Sequence, residues 1–202
     1  MGSTGVDEDY VTVLLGNVGT SDVNDVYDSI QYLIKNKYAD KDRIILSGGS
    51  HGGFLVTSIS GQHPELNFLA CIARNPVIDM TGMSSSTDIP DWNSAEALGH
   101  LDLQPYNQIY AATTDQVARM HQVSPIAHIQ NVKVPTLLLL GKEDLRVQYS
   151  QGLLYYRILK ARGIETRCLI YDDVHGLFKI NVEFDCFLNM VKFIKKFIYY
   201  NS

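Results

Sequence analysis

The apolar residues of this chain form two kinds of pattern that alternate along its length. Short, nearly continuous apolar runs, typical of strands buried on both faces, occur at Arg43–Ser47, Phe68–Ala73, Pro135–Leu140 and Thr166–Tyr171. Apolar residues at helical spacing predict helices at Asp22–Lys37, Phe54–Ile59, Asp115–His121, Pro125–Ile129 and Tyr149–Arg162. This alternation predicts an α/β fold with about four parallel strands covered by helices.

Two further segments carry specific expectations. A last helix is predicted to dock on the sheet through one apolar face, formed by Phe184, Phe187, Leu188, Val191, Ile194 and Ile198. The span Asn75–Asp102 is rich in Ser, Thr, Asp and Pro, and is expected to be a surface loop near the functional site. Because neither a repeat nor a linker divides the 202 residues, we expect a single domain.

Composition narrows the class of protein. The 17 basic residues are scattered and are outnumbered by 22 acidic residues, which argues against a nucleic-acid partner. No apolar run approaches the roughly 20 residues of a membrane helix, and no signal sequence opens the chain, so no membrane role is expected. Cys71, Cys168 and Cys186 lie in apolar stretches, which is typical of reduced thiols in a cytoplasmic protein.

A glycine-rich motif follows the first predicted strand. Residues 48–52 read Gly-Gly-Ser-His-Gly and match G-x-S-x-G, the sharp turn that exposes a serine between a strand and a helix in an α/β-hydrolase fold. A serine hydroxyl is a weak nucleophile, so it needs a histidine base that is itself oriented by a carboxylate. We therefore expect Ser50 to be a nucleophile with these two partners later in the chain.

Both partners occur where later strands end. The third predicted strand runs into Glu143-Asp144, and the fourth is followed shortly by His175. The order Ser, acid, His is that of the α/β-hydrolase triad. We assign Ser50 as nucleophile, His175 as general base and acid, and Asp144 as the orienting carboxylate, with Glu143 as a competing acid.

The other polar residues near these motifs receive lesser roles. Asp172 and Asp173 stand too close to His175 in sequence to face its ring easily. The backbone N–H of His51, directly after the nucleophile, is expected to donate to the oxyanion. The four remaining histidines lack the paired spacing of metal ligands, and we expect neither a metal nor a cofactor; these are His63, His100, His121 and His128.

With these residues identified, the chain resembles the acylaminoacyl-peptidases of the prolyl oligopeptidase family of serine peptidases. The resemblance spans essentially the whole chain. Besides the glycine-rich motif and residues 140–147, it rests on Gly2–Gly5, Leu15–Gly19 with Asp22-Val23, Ala73–Val77, Ser86–Trp92 and Ser124–Ile126. The stretch Thr-Asp-Ile-Pro-Asp-Trp at 87–92 is more specific than the serine motif.

The resemblance implies a reaction and a substrate class. Such enzymes release an N-acylated amino acid from the start of a short blocked peptide by acyl transfer, so short N-acylated peptides are the expected partners. In relatives an arginine two positions after the triad aspartate binds polar groups of the substrate, and the matching residue here is Arg146.

One departure from the family opens alternatives. Only 49 residues precede Ser50, too few for the first strands, for the loop that supplies a second oxyanion donor, or for the N-terminal propeller of relatives. We therefore expect residues 1–202 to form the C-terminal half of an incomplete α/β-hydrolase catalytic domain. The alternatives are a catalytically impaired module that binds or forms a homo-oligomer through an open sheet edge, and a general short-chain esterase.

Overall fold

Four parallel strands form the centre of the molecule, as seen in a computed structural model that describes residues 2–99 and 112–198. They are β1 (Ile45–Gly49), β2 (Ala70–Arg74), β3 (Thr136–Gly141) and β4 (Thr166–Tyr171). The strands lie side by side in chain order, and every pairing between neighbours is parallel. The α/β prediction is confirmed. Each end of the four predicted strands lies within two residues of the observed end.

Helices precede, connect and follow the strands. They are α1 (Glu8–Thr12), α2 (Ser21–Lys35), α3 (His51–Gln62), α4 (Met80–Ser84), α5 (Pro90–Leu98), α6 (Thr114–Val123), α7 (Tyr149–Ala161) and α8 (Ile180–Ile198). Short 3₁₀ helices occupy Pro64–Leu66 and Pro125–Asn131. No helix within the described ranges is both long and apolar enough to cross a membrane.

The two faces of the sheet are covered unequally. Alternate strand residues such as Cys71 and Leu138 face a large core that α3 and α7 cover, because side chains alternate between the faces of a strand. Residues of the opposite set, such as Ile72 and Leu139, face a smaller core with α8. Because all four strands are parallel, their carboxyl ends meet at one edge of the sheet, and the loops that follow them lie together there.

The segment expected to be a loop contains two helices. α4 begins after Asp79, whose side chain accepts a hydrogen bond from the N–H of Thr81 at 3.0 Å. α5 begins at Pro90 and ends before Gly99, which has a φ of 74°. Proline at the first position and glycine after the last are helix boundary signals, but the polar composition obscured them. The end of the predicted loop, residues 100–102, lies outside the described residues.

The buried face of α8 matches the expected apolar face only in part, since Ile194 packs against the smaller core. The most buried residues of this helix are Val182, Cys186, Asn189 and Phe193, whereas Phe184 and Phe187 are 62% and 60% exposed. With the helix in this rotation, the hydroxyl of Tyr171 in β4 donates to Asp185 at 2.8 Å. Helical periodicity could not distinguish the two faces, because both carry large apolar residues.

The first strand has a free edge. Among the residues that the structure describes, β1 pairs with β2 alone, and its Ser47 is exposed on the face that α8 covers farther along the sheet. Two large apolar side chains of α8, Phe184 and Phe187, are also exposed to solvent. An unpaired strand edge presents a row of free backbone donors and acceptors that another strand can use.

We expect the three cysteines to resist alkylation in the folded protein. All three are free thiols; burial raises the pKa of Cys71 to about 12 and that of half-buried Cys168 to about 11, so little thiolate exists at pH 8. Treatment of the native chain with iodoacetamide should leave Cys71 unmodified and should modify Cys168 only slowly by mass spectrometry. Unfolding in urea is the positive control, and rapid modification of Cys71 without denaturant would contradict the burial.

Candidate active site

Ser50 lies in a strained turn between β1 and α3. Its φ is 56° and its ψ is −121°, a conformation that costs a non-glycine residue of order 1–3 kcal/mol and is concentrated at functional sites. The N–H of Ser50 donates to the carbonyl oxygen of Arg74 at 2.9 Å, and its own carbonyl accepts from Phe54 at 3.0 Å. The first sequence motif therefore forms the predicted strand–turn–helix.

Close backbone packing explains the first glycine of the motif. A Cβ built on Gly48 would lie 2.2 Å from the carbonyl oxygen of Gly52 and 2.4 Å from its carbonyl carbon. Real Cβ atoms do not approach backbone this closely, so position 48 cannot carry a side chain without moving the turn.

Asp144 and His175 are joined directly, and Glu143 is not the acid that reaches the histidine. Asp144 Oδ2 lies 2.6 Å from His175 Nδ1, while Glu143 is exposed at the surface. Asp144 is 3% exposed, and its Oδ1 accepts from the backbone N–H groups of Arg146 and Val147 at 2.8 and 2.9 Å. If Nδ1 carries the proton that this contact favours, Nε2 presents its lone pair and can act as a base.

Asp173, set aside in the sequence because of its position, organises the turn that holds His175. It is 2% exposed, and its two carboxylate oxygens accept from the N–H groups of Val174 and Lys179 at 2.8 and 2.9 Å. An aspartate that bonds the backbone one or more residues later is a common turn signal. Asp173 thus shapes the loop and does not contact the imidazole of His175 by a hydrogen bond.

Ser50 and His175, the expected nucleophile and base, are not hydrogen-bonded to each other in the described part of the chain. The ring of His175 contacts Asp144, but it forms no hydrogen bond within 3.5 Å to the hydroxyl of Ser50. Catalytic hydrogen bonds are often long without substrate and tighten in the reacting complex. The structure thus brings acid and base into contact and places the serine turn at the same edge of the sheet.

His51 has a free backbone N–H, which the sequence indicated, and a side-chain contact with Asp22, which it did not. Its backbone N–H belongs to the first residue of α3 and so has no acceptor within the helix. Its side chain was given no role, yet Nε2 lies 2.9 Å from Oδ2 of Asp22, which is 4% exposed at the start of α2. No local pattern indicates this contact, because the two residues are 29 positions apart.

Glu96 lies close enough to His51 and Asp22 for their charges to act on it. One of its carboxylate oxygens, Oε2, is buried without a hydrogen-bond partner. Burial raises the pKa of this carboxyl above its usual value, the His51 side chain lowers it, and Asp22 raises it. An ionised Glu96 is therefore costly to bury.

We expect Glu96→Gln to stabilise the protein at neutral pH but not in acid. Because the folded-state pKa is raised, the cost of ionising Glu96 grows as pH rises through its unfolded and folded pKa values, and is absent below both. Thermal denaturation should show a higher Tm for the variant at pH 7 and no difference at pH 3.5. Glu183→Gln, at an exposed position of α8, is the control, and an equal rise there would contradict this origin.

Arg146 forms an ion pair with the segment that resembled the family most specifically. Its Nε and Nη2 donate to the two carboxylate oxygens of Asp88 at 2.9 and 3.0 Å. Both side chains are nearly half exposed. The hydrogen bond with Arg146 lowers the pKa of Asp88, and the same bond raises the pKa of Arg146. The paired contact fixes the plane of the guanidinium.

The other histidines lie apart from this arrangement. His63 stacks on Tyr27 with ring centroids 4.1 Å apart and contacts Glu65 at 3.2 Å, and His128 is in the second 3₁₀ helix. His121 is in α6, while His100 lies outside the described residues. Within those residues, no group of three histidine, cysteine, aspartate or glutamate side chains is placed to hold a metal ion.

Comparison with known proteins places this geometry in a family. The sequence model of the prolyl oligopeptidase family matches residues 1–199. The chain belongs to the prolyl oligopeptidase family. It is 46% identical over 191 residues to the acylamino-acid-releasing enzyme of Mus musculus and 44% identical over 197 residues to that of Arabidopsis thaliana. These matches cover 94% and 97% of the chain but 25% of each relative.

Solved structures show the same fold. An acylaminoacyl peptidase from Pyrococcus horikoshii is 29% identical with a TM-score of 0.72, and the match covers 87% of this chain and 27% of that protein. A puromycin hydrolase matches 98% of this chain with a TM-score of 0.84 at 22% identity, which supports the fold alone. The chain thus spans about a quarter of the length of the curated prolyl oligopeptidase relatives reported above.

Proposed function

We propose that residues 1–202 belong to the catalytic domain of a serine peptidase that releases N-acylated amino acids from short blocked peptides. The observation that carries the proposal is the 2.6 Å contact between Asp144 and His175, at the sheet edge where the strained Ser50 turn also lies. The relatives named acylamino-acid-releasing enzyme support the substrate class. A solved acylaminoacyl peptidase that is 29% identical to the chain is in complex with Z-Gly-Gly-Phe-chloromethyl ketone.

The proposed reaction is acyl transfer in two steps. Ser50 Oγ bonds to the carbonyl carbon of the N-acylated residue while His175 Nε2 takes the hydroxyl proton. The C–N bond then breaks as His175 returns the proton to the leaving amine of the shortened peptide. Water, deprotonated by His175, then attacks the carbonyl carbon of the resulting ester. The bond from this carbon to Ser50 Oγ breaks, His175 returns the proton to Oγ, and the N-acylated amino acid is released. The His51 N–H stabilises the oxyanion in both steps.

Labelling with a fluorophosphonate probe tests this proposal. The 202-residue chain should be labelled once, at Ser50, and the Ser50→Ala and His175→Ala variants should not be labelled. A folded wild-type chain that resists the probe would refute independent activity. If labelling occurs, turnover of acetyl-alanine p-nitroanilide supports the peptidase, whereas hydrolysis of p-nitrophenyl butyrate without amide turnover identifies the short-chain esterase instead.

Arg146 is proposed to bind a polar group of the substrate. Asp88 engages two of the five N–H groups of the guanidinium, which leaves other donors for a substrate carbonyl in a fixed orientation. The backbone N–H of Arg146 donates to Oδ1 of Asp144 at 2.8 Å, so the ion pair lies next to the acid of the proposed triad.

Arg146→Ala is expected to lower kcat/KM for acetyl-alanine p-nitroanilide by about 10- to 100-fold, chiefly through KM, since a hydrogen bond to a charged group is lost. The smaller probe, which cannot use this contact, should label the variant at the wild-type rate. A loss of labelling equal to the loss of turnover would show that Arg146 acts on the triad and not on the peptide. Steady-state kinetics and labelling rates on the same preparation measure both.

A dimerising role is the second candidate, favoured by the free edge of β1. We propose that a second copy of the chain uses this edge or the exposed residues Phe184 and Phe187 of α8, because unpaired edges and exposed apolar residues promote association. Light scattering after size-exclusion chromatography should detect a dimer that the double variant F184E/F187E weakens. A monomer at all concentrations would exclude this role.

The three free thiols support a reducing compartment, and we propose the cytoplasm. Fractionation of cells that express the tagged protein would test this location.

A further inference from the structure

The last residue of β2 and the residue after it contact the loops that carry all three triad residues. Arg74 ends the strand, and its carbonyl oxygen accepts the N–H of Ser50 at 2.9 Å. Its guanidinium Nη2 donates to the carbonyl oxygen of Gly176, next to His175, at 3.3 Å. The serine turn and the histidine loop are thus both bonded to one residue. We refer to Arg74 and Asn75 together as the β2 bridge.

Asn75 connects the other two loops to each other. Its side-chain oxygen accepts the N–H of Gly141, where the aspartate loop begins, at 2.7 Å. Its side-chain nitrogen donates to the carbonyl oxygen of His175 at 2.6 Å. The two partners lie 66 and 100 residues away in sequence. One amide group therefore spans the two loops whose side chains form the 2.6 Å contact between Asp144 and His175.

The chemistry of this position selects asparagine. Asn75 is 2% exposed and has a φ of 41°, a conformation that asparagine adopts more readily than most residues. Gly141 offers a donor and His175 offers an acceptor, so the side chain must carry one acceptor and one donor. Aspartate would keep the first bond and lose the second. Alanine would lose both and remove the partner of the buried Gly141 N–H and of the His175 carbonyl.

The bond to His175 is made at the backbone of the catalytic base itself. Asp173 holds the residues on either side of His175, at Val174 and Lys179, but the carbonyl of His175 is bonded by Asn75. Displacement of this carbonyl would move the imidazole relative to Asp144. Loss of the Asn75 hydrogen bond would therefore change the distance between Asp144 and His175. Loss of a side chain that only fills space would not change this distance.

We infer that Asn75 is a positioning residue of the triad, whose amide sets the distance between the Asp144 and His175 loops while Arg74 ties the same histidine loop to the Ser50 turn. The inference rests on the proposed function only for its consequence on catalysis. Its geometric content, that the Asp144–His175 hydrogen bond depends on Asn75, is independent of turnover.

Proton NMR of the whole chain tests the geometric content. A proton shared between His175 Nδ1 and a buried carboxylate at 2.6 Å should resonate far downfield, and the His175→Ala variant assigns this resonance by its loss. In Asn75→Ala and Asn75→Asp, measured below their unfolding temperatures, the resonance should be absent or shifted upfield. The control is Asn189→Ala, which removes a buried asparagine bonded twice to Asp185 in α8 and should lower the Tm without moving the resonance.

Kinetics test the consequence for catalysis. Corrected for the folded fraction, Asn75→Ala should label with the fluorophosphonate about 10²-fold more slowly, the loss typical of a misplacement of about 1 Å, and should lose kcat with KM within about twofold of wild type. Asn189→Ala should label at the wild-type rate per folded molecule.

The outcomes separate the two proposals. If the wild-type chain shows the downfield proton but is not labelled, the proposed activity is refuted. The role of Asn75 in positioning His175 is then decided by the NMR comparison of wild type with the Asn75 variants. Two results overturn the inference: an unchanged resonance in Asn75→Ala, or a wild-type chain that is folded and lacks the resonance altogether.

Discussion

Replacement of Asp144 by asparagine is expected to slow the acylation of Ser50 by about 10⁴-fold. Asparagine fits the same space, but its NH₂ group can donate to Nδ1 of His175, where the aspartate now accepts at 2.6 Å. The imidazole would then hold its proton on Nε2 and could not accept the serine hydroxyl proton. The rate of fluorophosphonate labelling measures this loss directly.

Glu143→Gln is the matched control for this experiment. Glu143 is the adjacent acid, it is exposed, and only its backbone N–H makes a described hydrogen bond, to the carbonyl of Asp173 at 3.0 Å. Its variant should be labelled at the wild-type rate. If instead Glu143→Gln were impaired and Asp144→Asn were not, the assignment of the acid would be wrong. Circular dichroism would show that both variants are folded.

Replacement of Gly48 by alanine should disrupt the serine turn. The new Cβ would lie 2.2 Å from the carbonyl oxygen of Gly52. The backbone fixes the position of a Cβ and the oxygen is itself a backbone atom, so the turn must move. We expect a loss of about 1–3 kcal/mol in the free energy of unfolding, the usual cost of overpacking, together with loss of labelling at Ser50. Urea denaturation and the labelling assay measure the two effects.

Gly52→Ala distinguishes this steric effect from the loss of a glycine as such. A Cβ on Gly52 meets no atom within 4 Å, and the residue lies in the first turn of α3, where alanine is the better helix former. The stability of this variant should equal or exceed that of wild type. A similar destabilisation of Gly48→Ala and Gly52→Ala would show that chain flexibility, and not the contact at Gly48, explains the motif.

The strands and the three triad candidates could be predicted because their signals are local. Each buried strand is a continuous apolar run, and the chemistry lies just beyond its end, where parallel strands present their loops together. Ser50 follows β1, Asp144 follows β3 and His175 follows β4. In a parallel sheet all carboxyl ends lie at one edge, so the positions of the strands along the chain were enough to predict that these loops meet there.

The supporting residues could not be predicted in the same way. The contacts of Asn75 with Gly141 and His175 and of Asp22 with His51 join positions that are far apart in the chain. Each depends on the final packing of separate elements, and no spacing rule encodes it. The rotation of α8 was predicted only in part for a related reason, since the face that is buried depends on the surface of the sheet that the helix meets.

The order of the strands in the sheet has a consequence for how the chain folds during synthesis. Because β1 to β4 lie in chain order, each new strand can add to the edge left by the previous one as it leaves the ribosome, the usual N-to-C order of folding. The Ser50 turn can close onto Arg74 once β2 is made, whereas Asn75 must wait for both Gly141 and His175. We therefore expect a nascent chain to form the Ser50 turn as soon as β2 has paired, and the contact between Asp144 and His175 only after β4 and the loop that follows it have been made.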